Sequence, residues 1–268
     1  MDALGSRSPR VKAARQLAKR AFRDRAQSFL AEGPQAVREA LAADGVLTEL
    51  FVTGPGRVRH PELTEQAAAS GAPVHEVSGE VMAELAQTIT PQGVLGVCRF
   101  IDQPLAAITS AAPRLVVVLA NVRDPGNAGT VLRTADAAGA DGVVFAAASV
   151  DPYNSKCVRS SAGSLFHLPV VAGHELGSAL GELRAAGLQV LAADGSAPWQ
   201  LDAGSGGPDL SRPTAWLFGN EAWGLPDELL KLADSVVAVP IYGKAESLNL
   251  AAAAAVCLYS SAREQRLS

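Results

Sequence analysis

Cysteine and histidine are scarce in this 268-residue sequence, and their scarcity excludes several kinds of site. The three cysteines, Cys98, Cys157 and Cys257, are far apart, so neither a disulfide framework nor a zinc-binding spacing is present. We expect each to be a small buried hydrophobic residue in a protein of the reducing cytoplasm. The four histidines are scattered and form no His-x-x-x-His pair, so no metal site is predicted.

Long apolar runs and common nucleotide-binding motifs are also missing. No run approaches the roughly 20 residues of a membrane-spanning helix, and the first arginines are not followed by the apolar segment of a secretory signal. The chain has no Gly-x-Gly-x-x-Gly after a strand, no Gly-x-x-x-x-Gly-Lys-Ser/Thr phosphate loop and no Gly-x-Ser-x-Gly nucleophile elbow. A cytoplasmic protein without a membrane partner is expected, and it is neither a dinucleotide enzyme of that type nor a serine hydrolase.

Charge is distributed unevenly along the chain. Residues 1–25 contain eight basic and two acidic residues, a local charge of +6. The net charge of the chain is −4, so the remaining residues together carry −10. A basic segment on an acidic body favours a polyanionic partner met locally. The candidate contacts are Arg10, Lys12, Arg15, Lys19 and Arg20. A solvated first helix that binds nothing is the alternative.

Strand-like and helical patterns alternate along the chain, which predicts an α/β protein. Residues 1–101 are predicted to form a compact domain that begins with one helix over about 8–25. Residues 102–113, with two prolines and few bulky side chains, are predicted to be a linker. A second domain over 114–268 opens with an apolar run typical of a strand buried on both faces, and its last helix is expected from Ser247 to about Glu264.

Two apolar runs of the second domain end in glycine-containing loops, one at Gly219 and the other at Tyr242. Ligands of α/β sheets bind where strand ends meet such loops. Polar side chains follow both ends, namely Asn220, Glu221, Ser247 and Asn249. The alternative is a pair of ordinary strand-to-helix turns in which Ser247 is a helix N-cap.

A third segment, residues 121–133, adds a basic side chain to this picture. Asp124 can cap a helix whose first residue is Pro125. Helical side chains lean toward the N-terminus, so Arg133 is expected to point back to the strand-end loop, where a phosphate would also meet free helix N–H groups. The alternative is an ion pair within the helix between Arg133 and Asp136.

The three segments resemble the signature motifs of the SpoU/TrmH branch of the SPOUT methyltransferases. The first motif is Asn121…Asp124-Pro125-x-Asn127-x-Gly129-x-x-x-Arg133-x-Ala135. The second is Leu217-Phe-Gly-Asn-Glu-x-x-Gly-Leu225, and the third is Val239-Pro-Ile…Ser247-Leu-Asn-Leu-Ala-x-Ala253. All three occur in order and with the family's spacing. The first domain resembles the family's ribosomal-protein-like RNA-binding module in Phe29-Leu-Ala-Glu-Gly33 and in residues 88–96.

The resemblance implies an α/β catalytic domain with a deep C-terminal trefoil knot. It implies a homodimer with active sites at the subunit interface, which binds S-adenosylmethionine and methylates a ribose 2′-hydroxyl of structured RNA without a metal. By matching positions, the cofactor would be held by Leu217, Gly219, Asn220, Val239, Ile241 and Leu248. The catalytic face would comprise Asn127, Arg133, Glu221, Ser247 and Asn249.

The resemblance also implies that Arg133 reaches across the dimer. Because arginine stays protonated in proteins, we expect Arg133 to bind the neighbouring phosphate and to stabilise the developing alkoxide. Glu221 or solvent would then take the proton. Lys156 and Arg159, on a predicted helix over 155–162, could contact RNA phosphates from the same rim, with a plain helix surface as the alternative.

The predicted function is therefore S-adenosylmethionine-dependent 2′-O-methylation of ribosomal RNA, most readily 23S ribosomal RNA. The modification would serve either housekeeping or antibiotic resistance. Ribose methylation of transfer RNA is one alternative, and a non-catalytic RNA-binding or assembly protein that keeps the fold is another.

Overall fold

The structure is a computed structural model that describes residues 3–201 and 206–267. The strands are β1 (Ser28–Glu32), β2 (Leu47–Val52), β3 (Val74–Glu76), β4 (Val94–Arg99), β5 (Leu115–Leu119), β6 (Gly142–Ala146), β7 (Val170–His174), β8 (Gln189–Ala193), β9 (Trp199–Gln200), β10 (Thr214–Phe218) and β11 (Ser235–Ala238). The helices are α1 (Pro9–Gln16), α2 (Arg20–Ala26), α3 (Pro34–Ala42), α4 (Gly54–Arg59), α5 (Pro61–Ala69), α6 (Gly79–Leu85), α7 (Ala106–Thr109), α8 (Pro125–Ala138), α9 (Ser155–Ser160), α10 (Leu176–Ala185), α11 (Asp227–Leu230) and α12 (Leu250–Leu267).

The chain divides into two compact units that are not contiguous in sequence. The first combines the residues up to Ile101 with Tyr153–His167, and the second combines Asp102–Pro152 with the residues from Leu168 onward. The predicted boundary near residue 101 coincides with the first division. The grouping of residues 153–167 with the first unit differs from the predicted contiguous domain over 114–268.

The first unit is built on a mixed sheet of order β1-β4-β2-β3. Strand β4 pairs antiparallel with β1 and β2, while β2 and β3 are parallel. The predicted first helix is broken into α1 and α2. Arg23 is buried, and its guanidinium donates hydrogen bonds to the carbonyls of Leu17 (2.9 Å) and Ala18 (3.0 Å) at the break. Side chains of α1 belong to the core of this unit beside Met82 and Leu85, so the basic segment is part of the fold and not an arm.

Residues 153–167 complete the aromatic core of the first unit. The Tyr153 ring stacks on Phe100, with centroids 4.0 Å apart, and lies 4.7 Å from the Phe29 ring. Its hydroxyl accepts a hydrogen bond from the Ile101 N–H at 2.8 Å. The sequence of β1 alone does not predict this packing, because Tyr153 follows Phe29 by more than 120 positions in the chain.

The second unit contains a parallel sheet of order β7-β6-β5-β10-β8-β11-β9. Its central strands are buried along their length, as the continuous apolar runs require. The predicted α/β class is therefore confirmed. Residues 102–113 are not a free linker, because Leu105 and Ile108, on and beside α7, are buried in the core of this unit.

Three further elements differ from what the sequence predicts. Gly54-Pro55-Gly56, a sequence typical of a turn, starts α4, and the Thr53 hydroxyl caps it by accepting the Gly56 N–H at 3.1 Å. Strand β7 was not predicted, since a proline precedes its short apolar run and a glycine interrupts it. Helix α12 begins at Leu250, where Asn249 Oδ1 accepts the Ala251 N–H at 2.9 Å, so Asn249 is the cap instead of Ser247. Within the described ranges, no helix is both long and apolar enough to cross a membrane.

Candidate active site

The site lies at the carboxyl edge of the parallel sheet, where the loop after β10 meets the loop after β5. Gly219 is buried, and a Cβ atom at this position would lie 2.5 Å from the Gly224 carbonyl oxygen. The loop is closed by two hydrogen bonds of 2.9 Å between the backbone groups of Asn220 and Gly224. Only glycine at position 219 allows this close backbone approach.

Asn220 fastens this loop to the first motif. Its Nδ2 donates to the Asn121 carbonyl at 3.0 Å, and its Oδ1 accepts the Ala222 N–H at 2.8 Å. The Asn220 side chain is buried. Asn121 itself has a positive φ of 59°, a conformation that asparagine tolerates better than most residues. Asn220 was predicted as a cofactor contact, and in the structure its side chain organises the loop.

Glu221 sits at the N-terminus of α8. Its carboxylate accepts the backbone N–H groups of Arg123 (3.2 Å) and Asp124 (3.0 Å) and the Nδ2 of Asn127 (3.4 Å). These N–H groups precede the first turn of the helix and need an acceptor. The negative charge also lies at the favourable end of the helix dipole.

Asn127 connects the three motifs. While its Nδ2 donates to Glu221, its Oδ1 accepts the Nδ2 of Asn249 at 3.1 Å. Its own N–H is capped by Asp124 Oδ1 at 2.8 Å. The resulting chain Glu221–Asn127–Asn249 joins residues 94 and 122 positions apart in sequence. The structure therefore brings three of the five predicted catalytic residues together.

Arg133 lies on the exposed side of α8. Within residues 3–201 and 206–267 it forms no hydrogen bond or ion pair, so the alternative of a pair with Asp136 is not supported. Ser247 is likewise exposed, in the loop over 241–249, and is not part of the network. Both side chains are available to a ligand or to another chain.

The predicted cofactor residues fall into two groups. Gly219, Val239, Ile241 and Leu248 lie in the loops after β10 and β11, with Ile241 and Leu248 exposed. Leu217 is different, because its side chain is fully buried in the core of the second unit, so that only its backbone could contact a ligand. Its role as a cofactor contact stays a prediction.

Sequence reasoning missed the end of β8. Strand β8 lies between β10 and β11, so Asp194 follows it at the same sheet edge. A Cβ at Gly224 would lie 2.7 Å from Asp194 Oδ2, which places this carboxylate against the second motif's backbone. Its Oδ1 accepts the Ser196 N–H at 2.9 Å. The strand was predicted, but the order of strands that brings its end to the site was not.

The loop ends of β8, β10 and β11 lie side by side at this edge of the sheet. Gly219 packs directly against the backbone of Gly224. Ile241 and Leu248 add exposed apolar surface next to them. A site with apolar walls and a few fixed polar groups is typical of cofactor pockets.

The predicted RNA-binding residues of the first unit are mostly engaged in ion pairs. Arg10 contacts Glu49 at 3.2 Å and Arg15 contacts Glu84 at 2.9 Å. The remaining pairs are Arg20 with Asp24 and Arg159 with Glu32. Lys12 and Lys19 have no such partner among the residues that the structure describes. Lys156 lies on α9 of the same unit.

The cysteines behave as the sequence predicted. Cys98, Cys157 and Cys257 are free and buried. Burial raises the pKa of the Cys98 thiol far above its usual range and that of Cys257 to about 12. Over the described part of the chain there is no cluster of three or more His, Cys, Asp or Glu side chains that could hold a metal ion.

Comparison with known proteins matches two parts of the chain to two family models. Residues 114–259 match the SpoU rRNA Methylase family, and residues 8–96 match the MRM3-like substrate binding domain. The chain is 36% identical over 256 residues to the 23S rRNA (guanosine(2553)-2′-O)-methyltransferase RlmP of Bacillus subtilis, which covers 95% of this chain and 96% of that protein.

Two solved structures resemble it over nearly its whole length. The AdoMet-bound rRNA methyltransferase from Sinorhizobium meliloti has a TM-score of 0.85 at 34% identity and covers 98% of this chain and 97% of that one. The SpoU methyltransferase AviRb from Streptomyces viridochromogenes, in complex with AdoMet, has a TM-score of 0.83 at 29% identity and covers 97% and 100%.

Proposed function

The chain belongs to the SpoU rRNA methylase family, and we propose that it transfers a methyl group from S-adenosylmethionine to a ribose 2′-hydroxyl of 23S ribosomal RNA. One observation carries the proposal: Asn127 hydrogen-bonds both Glu221 and Asn249, so residues from all three motifs meet at one sheet edge. A protein that kept the fold only to bind RNA would have no need of this polar arrangement.

S-adenosylmethionine supplies a methyl group that an oxygen nucleophile can attack. Gly219 and Val239 would hold its adenosine part through backbone groups, with Leu248 and Ile241 covering it. Methyl transfer to oxygen depends on in-line placement of the hydroxyl and on stabilisation of the charge that develops there. The residues of this chain need to position the ribose and to exclude competing orientations, and no covalent intermediate is required.

Glu221 serves as a positioning residue in this proposal. Its two oxygens already accept three N–H donors at the start of α8. Both oxygens are therefore engaged in holding the start of α8. We assign uptake of the hydroxyl proton to solvent.

Arg133 provides the positive charge. It is exposed and without a partner in the described chain, and its guanidinium can bind a phosphate bidentately. We place it beside the phosphate next to the reacting ribose, where it also stabilises the developing alkoxide. Ser247 would join the catalytic face when the loop over 241–249 folds around the ligands.

A homodimer and a knot complete the proposal. Helix α12 exposes Val256 and Tyr259, which supply apolar surface for a second copy. Arg133 of one protomer would then act in its partner's site.

The path of the chain after β11 is consistent with a knot. In the sheet, β8 lies between β10 and β11. Helix α12, which follows β11 in the chain, packs on β10, because Ser261 of α12 accepts a hydrogen bond from the Trp216 Nε1–H of β10 at 2.9 Å. The chain must therefore pass back across the ends of β8 and β10, near the loop that follows β10. A cytoplasmic location remains a prediction.

The substrate assignment rests on relatives. The RlmP relative acts on 23S ribosomal RNA by its name, and the match to a substrate binding domain covers the first unit. Housekeeping and resistance roles are separated by which nucleotide is modified. Transfer RNA is retained only as a control substrate.

The direct test is methyl transfer from labelled S-adenosylmethionine to unmodified ribosomal and transfer RNA pools. We expect label in 23S ribosomal RNA, at a linkage that resists alkaline cleavage, and its loss with Arg133→Ala. Arg133→Lys retains the charge but not the bidentate fork, and we expect most activity to be lost with it too. Label in transfer RNA alone, or at an alkali-sensitive linkage, would overturn the assignment.

A further inference from the structure

Asp194 is a side chain at the candidate site that has no role in the proposed reaction so far. It follows β8, which lies between β10 and β11 in the sheet. Its N–H donates to the Val237 carbonyl of β11 at 3.1 Å, and its carboxylate lies against Gly224 in the loop after β10. Asp194 therefore sits between the loops that carry Gly219 and Val239. A ligand that contacts both loops must pass it.

The turn after β8 fixes the Asp194 carboxylate. Its Oδ1 accepts the Ser196 N–H at 2.9 Å and the Ser196 hydroxyl at 2.6 Å. In such a turn an aspartate side chain bonds its own backbone two residues on. The Asp194 carbonyl also accepts the Ala197 N–H at 3.3 Å. The carboxylate is thus held in one orientation before a ligand binds.

The second carboxylate oxygen remains for a ligand. Although Asp194 is partly buried, its Oδ2 accepts no hydrogen bond from any residue within 3–201 and 206–267. A Cβ at Gly224, where φ is +66°, would lie 2.7 Å from this oxygen. A larger residue at position 224 would displace the carboxylate, so glycine keeps Oδ2 at the site. A fixed acceptor without a donor in the protein suits a ligand that brings donors.

The ribose of S-adenosylmethionine supplies such donors. Its 2′- and 3′-hydroxyls are adjacent, and one carboxylate oxygen has two acceptor positions that can take both. Acidic side chains bind ribose hydroxyls in this way in dinucleotide enzymes. The ribose lies in the middle of the cofactor, as Asp194 lies between the two loops. The adenine amino group and the methionine ammonium group are donors too, but they lie at the ends of the molecule.

We propose that Asp194 Oδ2 accepts hydrogen bonds from the ribose hydroxyls of the cofactor and thereby selects a ribonucleoside. The inference rests on the proposed function and names a side chain that the three signature motifs do not include. The residues assigned above hold the adenosine part through backbone groups. Asp194 adds an anionic acceptor, whose hydrogen bonds are stronger than neutral ones.

The test measures binding of S-adenosylhomocysteine, the product form of the cofactor, to the full chain by calorimetry. Asp194→Asn keeps an oxygen for Ser196 and replaces the free acceptor by a donor. We expect affinity to fall about tenfold, as loss of a hydrogen bond to a charged group does.

Asp209→Asn is the matched control. Asp209 Oδ1 accepts the Ser211 N–H at 2.9 Å and the Ser211 hydroxyl at 2.7 Å, so it forms the same kind of turn. It precedes β10, at the amino edge of the sheet. We expect this variant to bind S-adenosylhomocysteine as tightly as the wild type does.

Cofactor analogues identify the group that Asp194 contacts. S-adenosylhomocysteine without its two ribose hydroxyls should bind the wild type about tenfold more weakly than the parent compound. Asp194→Asn should show at most about a twofold difference between the two compounds, because its contact with the hydroxyls is already lost. S-inosylhomocysteine, which lacks the adenine amino group, should lose the same factor with both proteins.

An equal loss with the dehydroxylated analogue in the wild type and in Asp194→Asn would overturn the proposal, and so would unchanged binding of the parent compound by Asp194→Asn. A loss with S-inosylhomocysteine in the wild type alone would move the contact to the adenine and overturn it too. A wild type that shows the expected discrimination but methylates no RNA would contradict the proposed reaction and leave the role of Asp194 standing. A wild type that binds no S-adenosylhomocysteine contradicts both.

Discussion

Asn249 performs two tasks that substitutions can separate. Its Oδ1 caps α12 through the Ala251 N–H at 2.9 Å, and its Nδ2 donates to Asn127 Oδ1 at 3.1 Å. Asn249→Ala removes both. An N-cap contributes about 1 kcal/mol, and a hydrogen bond between side chains contributes about 1 kcal/mol. We therefore expect Asn249→Ala to destabilise the second unit by roughly 2 kcal/mol and to lower kcat.

Asn249→Asp keeps the cap but not the link. The aspartate oxygen still accepts the Ala251 N–H, and an acidic group is favourable at a helix N-terminus. Facing Asn127 Oδ1, however, it presents an acceptor to an acceptor. Loss of the link costs about 1 kcal/mol, and the added charge at the helix N-terminus offsets part of it, so stability should stay within about 1 kcal/mol of the wild type. A misplaced catalytic face should lower kcat by about tenfold or more.

The assay pairs thermal and chemical denaturation with steady-state methyl transfer on the same preparations. Ser78→Asp is the matched control, because Ser78 caps α6 in the first unit through the Val81 N–H at 3.2 Å. It adds the same charge at the same kind of position, and we expect normal kcat. Full activity of Asn249→Asp would refute the view that the Asn127–Asn249 bond positions the catalytic face. Equal stability losses in Asn249→Ala and Asn249→Asp would refute the capping role.

Three further predictions concern packing, cofactor binding and thiol chemistry. Tyr153→Ala should lower the free energy of unfolding of the first unit by about 3 kcal/mol, measured with denaturant, because a stacked buried ring is lost. Tyr153→Phe removes only the hydrogen bond of the hydroxyl group and should cost about 1 kcal/mol. Equal effects of the two substitutions would contradict the stacking. Gly219→Ala should abolish the binding of S-adenosylmethionine, measured by calorimetry, while RNA binding is retained. The added Cβ would lie 2.5 Å from the Gly224 carbonyl oxygen and force the loop to move. Unchanged affinity for the cofactor would show that the loop does not form the site. The thiols of Cys98 and Cys257 should resist alkylation in the native protein from pH 7 to 9, because a raised pKa keeps them protonated in that window; rapid labelling without unfolding would contradict their burial.

The regular elements of the second unit could be predicted because their signals are local. Asp124 and Pro125 mark the start of α8, and the helix observed over Pro125–Ala138 begins at the predicted residue. The apolar run at Leu115–Leu119 likewise required a strand buried on both faces. Helix α4 has a similar local signal, since Thr53 caps it and Pro55 lies in its first turn. Its two glycines favour a turn instead, so the sequence leaves the choice open, and in the structure Gly56 packs directly against Gly93.

The candidate site was predictable in its residues but not in its connections. The motifs placed Glu221, Asn127 and Asn249 at strand and helix ends. The direction of their hydrogen bonds depends on strand order, which puts β10 beside β5 although about a hundred residues separate them. The position of Asp194 could not be predicted for the same reason. Only the order of strands in the sheet brings the end of β8 next to the loop at Gly224.

Residues 153–167 show that sequence boundaries and folding units need not coincide. The segment lies inside the range that matches the SpoU family, yet its side chains complete the first unit. A fragment ending at Ile101 would expose the Phe29 and Phe100 faces that Tyr153 covers and would leave the Glu32 carboxylate without Arg159. Removing one partner of a mostly buried ion pair costs more than the pair contributes. Such a fragment should therefore be less stable than the same unit in the whole chain. The stability of the first unit therefore depends on residues that the chain supplies only after the second unit has begun.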